Sequence, residues 1–201
     1  MRMALKTDCM KIIGLVFMLW LGSSCSDGDM VSSDTAAPKS TEKIMDAYKI
    51  EPRADLRGAN LRDANLTNSN MSDSNLYGVT LRDANLFGAN LERTFLRGAN
   101  LTGANFYTVN LSEASLSEAS LSEANLTAVN LYGANLTNAD LTGSKLFLAN
   151  LALANLTGAN LTDANLEGAV LTGAILTGAV LKGSILTDAV LTDANLADAR
   201  R

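Results

Sequence analysis

The sequence predicts an all-β coil that bends a corner every five residues, preceded by an export leader and a short helix. Three observations carry the prediction. From Leu56 to Leu196 every fifth residue is leucine, with Met71 and Phe106 the only exceptions. The residue two before each leucine slot is alanine in most repeats and Ser, Thr or Val in the others. Every glycine beyond Gly28 stands two after a leucine slot. A period of five suits neither regular element. On an α-helix five residues advance about 500°, so the leucines would spiral over all sides. On a straight strand an odd step sends successive leucines to opposite faces. A shared core therefore requires one bend per repeat.

Each slot then acquires a role. The leucine and the small residue two before it lie on the same strand face and point inward. The position two after the leucine is the corner, where glycine supplies the positive φ of a type II turn and Asp or Asn is expected to satisfy turn amides. No proline follows Pro52, as expected where nearly every N–H bonds to the coil above or below.

Composition narrows the function. The chain has 201 residues, a net charge of −5, no histidine and two cysteines, Cys9 and Cys25, both ahead of the repeats. Neither a disulfide framework nor a zinc site can be built from these. Arg57, Arg62, Arg82, Arg93 and Arg97 bias the early repeats basic, and Glu113, Glu118 and Glu123 bias later ones acidic. Neither pole matches the basic footprint of a nucleic-acid binder, so no nucleic-acid partner is expected. The serines Ser112, Ser117 and Ser122 occupy ordinary repeat slots. A rod with a filled interior offers no concavity to desolvate an acid–base pair. The expectation is a non-catalytic protein with no cofactor or metal. The corner aspartates Asp63, Asp83 and Asp163 also lack the nonapeptide pattern of calcium-binding coils.

The chain opens with Arg2, Lys6 and Lys11, then an uncharged run from Ile12 to Leu21, then Gly22, Ser23, Ser24 and Cys25. The run is about half the ~20 residues that span a bilayer, so it reads as a secretory leader over residues 1–24. "LGSSC" resembles a bacterial lipobox, which implies acylation of Cys25, although Gly22 stands where an aliphatic residue is usual. Ordinary cleavage beside an incidental cysteine is the other reading. Residues 25–39, rich in Ser, Asp and Thr, read as a flexible tether. Residues 40–51 read as a short amphipathic helix, with Ser40 as N-cap, Glu42 in the first turn, and Ile44, Ala47 and Tyr48 on one face. Its expected task is to cover the first open end of the coil, and the repeats occupy 52–201.

"ANLTGANLTDANL" (154–166) resembles the pentapeptide-repeat family, whose pattern is A-(D/N)-L-X-X, and the likeness runs from about 54 to 199. It implies a right-handed quadrilateral parallel β-helix with four repeats per coil, hence about seven coils and about 35 Å of stack at ~4.8 Å per layer. Phe87, Tyr107 and Phe147, and likewise Arg57, Tyr77 and Arg97, are separated by multiples of twenty. Aromatic and cation–π ladders are expected there. The family's best-known activity is mimicry of duplex DNA by quinolone-resistance proteins that bind gyrase. Mixed charge and an export leader fit that role poorly, so a topoisomerase-binding mimic stands as the distant alternative. Columns such as Thr137, Thr157 and Thr177 raise ice binding, but they are single and interrupted.

Two outward sets mark candidate contact surfaces. The slot before leucine, asparagine through most repeats, becomes Val170, Ile175, Val180, Ile185 and Val190 and reverts at Asn195. In the implied geometry these five gird all four faces, with residue 190 above 170. One reading is β-branched residues suiting exposed strands. The other is an apolar belt for self-association or a partner. The second set is Phe147, Leu148, Ala152 and Leu153, a ligand or partner patch or a local apolar cover. The expectation is thus an exported, lipid-anchored, protein-binding or structural rod, with an unknown protein partner, homodimerisation through the C-terminal coils and membrane attachment at Cys25. It places the protein on the cell membrane or outer membrane of a bacterium; the alternative is a soluble periplasmic, lumenal or secreted protein.

Overall fold

The computed structural model describes residues 48–201. Over that range the chain winds as a four-sided parallel coil. Each outward-slot residue from Asp55 to Val180 forms a parallel bridge with the residue twenty positions later. Four repeats therefore close one layer. Four columns define the faces: face 1 runs 55, 75 to 195; face 2 runs 60, 80 to 200; face 3 runs 65, 85 to 185; face 4 runs 70, 90 to 190.

The backbone donors of each repeat have separate destinations. Leu61 N–H donates to Thr80 O in the next layer (2.7 Å) and Gly78 N–H to Arg97 O (3.1 Å), while Asn85 N–H reaches back to Ala64 O (2.8 Å). Ala84 N–H closes the turn onto Leu81 O (3.1 Å). Every corner residue from Arg53 to Asp198 has positive φ, glycine or not, which with the closing bond is the signature of a type II turn.

Leucines and small residues fill the interior as the period demands. The core is buried from Leu56 to Leu181 and includes Met71 and Phe106 at the exceptional slots. In the last layer Leu186, Leu191 and Leu196, with Ala189, Ala194 and Ala199, are only partly buried.

The capping helix is corrected in its described part. Tyr48–Glu51 is a bend leading into a turn, not helix, because the Ser74 hydroxyl captures the Glu51 carbonyl (3.1 Å) and accepts from Ala54 N–H (3.0 Å). Tyr48 and Ile50 still pack against the core end, so covering is achieved by an irregular strap. The leader, the tether with Cys25, and residues 40–47 of the predicted helix lie outside the described residues.

Candidate functional site

One donor per repeat remains, the N–H just after the leucine, and the outward asparagine takes it. Asn85 Oδ1 accepts from Phe87 N–H (3.2 Å), and Asn160 Oδ1 from Thr162 N–H (3.1 Å). Every Asn or Asp in that slot, from Asp55 to Asn195, makes this bond. The expectation that corner Asp and Asn serve the turn amides is corrected: among the described residues none of them accepts one. Their side chains lean toward the next layer, as Asn138 does over Gly158 and Asp163 over Gly183. A carboxamide one residue before the leucine is positioned across the turn, whereas the corner side chain projects away from it.

The asparagines also bond to one another along two faces. On face 3 Asn105 Nδ2 donates to Asn85 Oδ1 (2.9 Å) and Asn125 Nδ2 to Asn105 Oδ1 (3.0 Å). On face 4 the ladder runs from Asn150 through Asn130 (3.1 Å) and Asn110 (3.0 Å) to Asn90 (3.2 Å). It ends where Val170 bridges Asn150.

The belt lies where the sequence places it. Val190 bridges Val170, and the five residues circle all four faces. Ile175 (41% exposed), Ile185 (48%) and Val190 (44%) are open to solvent, whereas Val170 and Val180 are half-buried. Each lacks the carboxamide, so among the described residues the N–H groups of Thr172, Thr177, Lys182, Thr187 and Thr192 have no side-chain acceptor. The hydroxyls of these four threonines are likewise without partners, unlike Thr157 and Thr162, which bond the asparagine two before them (both 2.6 Å). The hydroxyls of Thr157 and Thr162, like those of Thr137 and Thr142, are committed to the neighbouring outward-slot side chain, which weakens the ice-binding reading.

The second set is brought onto the borders of face 4. Phe147 and Leu148 form the edge between faces 3 and 4, and Ala152 and Leu153 the edge between faces 4 and 1, with Asn150 between. Leu148 (55% exposed, φ 55°) and Leu153 (54%, φ 59°) occupy left-handed corners. Sequence spacing named these residues but treated belt and patch as separate. Val170 directly above Asn150 joins them.

Ladder expectations divide. Phe87 and Tyr107 stack at 5.7 Å between centroids, 13° apart. The Arg57–Tyr77–Arg97 ladder is corrected: Arg57 bonds Asp55 (2.6 Å) and Arg97 bonds Glu118 (2.9 Å), since a carboxylate attracts guanidinium more strongly than a ring face does. Arg93 is clamped between Asp73 (2.8 Å) and Glu92. Its hydrogen bond holds the Asp73 carboxyl below its ordinary range, and Arg57 does the same to Asp55.

A family model described as "Pentapeptide repeats" matches the chain in eight copies, over residues 53–83, 81–110, 110–146, 149–188 and 174–200. Among solved structures, HetL, a pentapeptide repeat protein involved in heterocyst differentiation regulation from the cyanobacterium Nostoc sp. strain PCC 7120, is 38% identical, with 74% of this chain and 72% of that chain covered and a TM-score of 0.44. QnrB1, a plasmid-mediated fluoroquinolone resistance protein, is 18% identical in a trypsin-treated variant form, covering 75% and 78% with a TM-score of 0.49. A pentapeptide repeat protein of the Arabidopsis thaliana thylakoid lumen is 33% identical over 55% of this chain and 66% of that one, with a TM-score of 0.31. No curated protein sequence matches the chain significantly.

Proposed function

This chain belongs to the pentapeptide repeat family, whose fold is a right-handed quadrilateral β-helix, and from that premise we propose that its rod is a non-catalytic protein-binding or structural module exported from a bacterial cytoplasm and anchored by lipid at Cys25. The belt carries the reading. At Val170, Ile175, Val180, Ile185 and Val190 the chain gives up the carboxamide that serves its own turn and sets β-branched side chains outward instead. A coil selected for stability alone would keep the asparagine.

The C-terminal coils are the proposed self-association surface. Leu186, Leu191 and Leu196 are partly exposed, and their N–H groups meet no acceptor among the described residues. The aliphatic belt of these coils supplies the apolar surface that a second copy would cover. Replacing Val170, Ile175, Val180 and Ile185 by Asn should yield a folded monomer in light scattering, and unchanged mass would reject this surface. For the anchor, wild type should enter the detergent phase on temperature-induced separation while Cys25→Ala stays aqueous. Equal partitioning of the two would favour the soluble periplasmic or secreted form.

A further inference from the structure

Resting on the reading of the rod as a protein-binding module, we propose that face 4, from Tyr107 to Asp193, docks a cationic amphipathic segment of a partner protein. The coil places four features there that the sequence holds far apart. Leu148 and Leu153 stand on opposite borders of this face, each more than half exposed and each in a left-handed corner that disfavours a branched L-residue. Most other corners hold Gly, Asp, Asn or Glu. Between and above them lie Val170 and Val190, bridged to each other.

Donors accompany the apolar centre. The N–H and hydroxyl of Thr172 and Thr192, one layer apart on the edge beside Leu153, meet no acceptor among the described residues. These donors can take backbone carbonyl oxygens of a partner whose side chains are apolar at the centre. Charge selects the rest. Glu113, Glu167, Asp188 and Asp193 line the two edges, and neither face 4 nor its edges carry a Lys or Arg between Tyr107 and Asp193. Lys145 stands on neighbouring face 3, and Arg93, on the face 4 edge one layer below Glu113, is already held by Asp73 and Glu92. An apolar centre within an acidic rim matches a segment whose apolar stripe is bordered by Lys or Arg.

The test titrates the full-length chain into three fluorescein-labelled amphipathic helical peptides built from Leu with Lys, Leu with Glu, or Leu with Gln, read by fluorescence anisotropy. The Lys peptide should bind at least tenfold more tightly than the other two. Leu148→Asn with Leu153→Asn should weaken it at least tenfold without lowering the denaturation midpoint, because Asn68 and Asn138 already occupy such corners. Glu167→Gln with Asp188→Asn and Asp193→Asn should weaken it similarly. The equal charge change Glu118→Gln, Glu123→Gln and Asp163→Asn, away from face 4, should alter binding less than threefold. Equal effects of the two charge sets would overturn the proposal as bulk attraction. So would loss of dimer mass, or of vesicle flotation, in the leucine variant without peptide binding, the occupant then being a second copy or lipid. A photocrosslinker at Asn160 on face 2 that captures protein in cells, with none captured from Leu153, would sink the face 4 assignment and leave the module reading standing. Capture from neither would remove both.

Discussion

Exchanging the outward residues of face 4 in opposite directions should move stability in opposite directions. Asn130 accepts from Tyr132 N–H (3.2 Å) and Asn150 Nδ2 (3.1 Å) and donates to Asn110 Oδ1 (3.0 Å). Asn130→Val removes all three. At a net of about 1 kcal/mol per bond, less up to ~1 kcal/mol recovered from the strand preference of valine, the loss is about 2–3 kcal/mol. Val170→Asn runs the other way. A carboxamide there gains the Thr172 turn bond and extends the ladder onto Asn150, for a net stabilisation of about 1 kcal/mol. Urea denaturation followed by far-UV circular dichroism reads both, as midpoints at constant slope. Measured against Asn150→Ala alone, Val170→Asn should yield only about half of that gain, since the ladder partner is gone. A lowered midpoint for Val170→Asn, or shifts of the same sign for both, would refute the assignment of the asparagine as the turn's acceptor.

Gly168→Ala should destabilise more than Gly178→Ala. Both have positive φ, which costs an alanine about 1–2 kcal/mol, but only at 168 would the new Cβ meet Leu148 Cδ2, at 2.8 Å, while nothing lies within 4 Å at 178. Leu148→Ala should erase the difference in thermal midpoint. Asp73 is held below its ordinary 3.8 by the Arg93 hydrogen bond; a depressed carboxylate contributes stability above its unfolded pKa and loses it as pH falls through the folded one. The urea midpoint of wild type should therefore drop below pH 3.8, and Asp73→Asn should flatten that drop. Phe106→Ala, at a fully buried slot, should cost about 3–5 kcal/mol in the same assay.

The fold was largely legible because it rests on period alone. Leu56, Ala59 and Gly58 each name their direction by spacing, and twenty-residue layering followed from the family likeness. The N-terminal strap was not legible as a strap: Ile44, Ala47 and Tyr48 satisfy helical spacing, and nothing local announces that Ser74, in the next layer, will hold the Glu51 carbonyl. The turn acceptor was missed for a related reason. Asp and Asn occur in both the corner and the outward slot, and composition does not say which side chain reaches back over the turn. A signal was present, since the outward carboxamide is far more regular than the corner residue. The union of belt and patch on face 4 required the register, because Asn150 and Val170 are neighbours only through a twenty-residue bridge.

That register turns the outward slot into a choice between holding the turn and meeting something else. Where Asn or Asp stands, its oxygen is committed to the amide two residues on, and on faces 3 and 4 its nitrogen is often committed to the layer below. Where another residue stands, the coil forgoes that bond and exposes a side chain of different chemistry. Thr80, Phe95, Ser115, Ser120, Lys145 and Arg200 are isolated or paired cases, separated by repeats that keep the carboxamide or carboxylate. Only from Val170 to Val190 does the chain forgo it five times running, and each time for an aliphatic branch. Strand preference alone, worth at most ~1 kcal/mol per site, does not outweigh a turn bond plus a ladder bond at 170. The run is therefore understood from what its side chains meet outside the coil, which is why the sign of Val170→Asn bears on function as well as on stability.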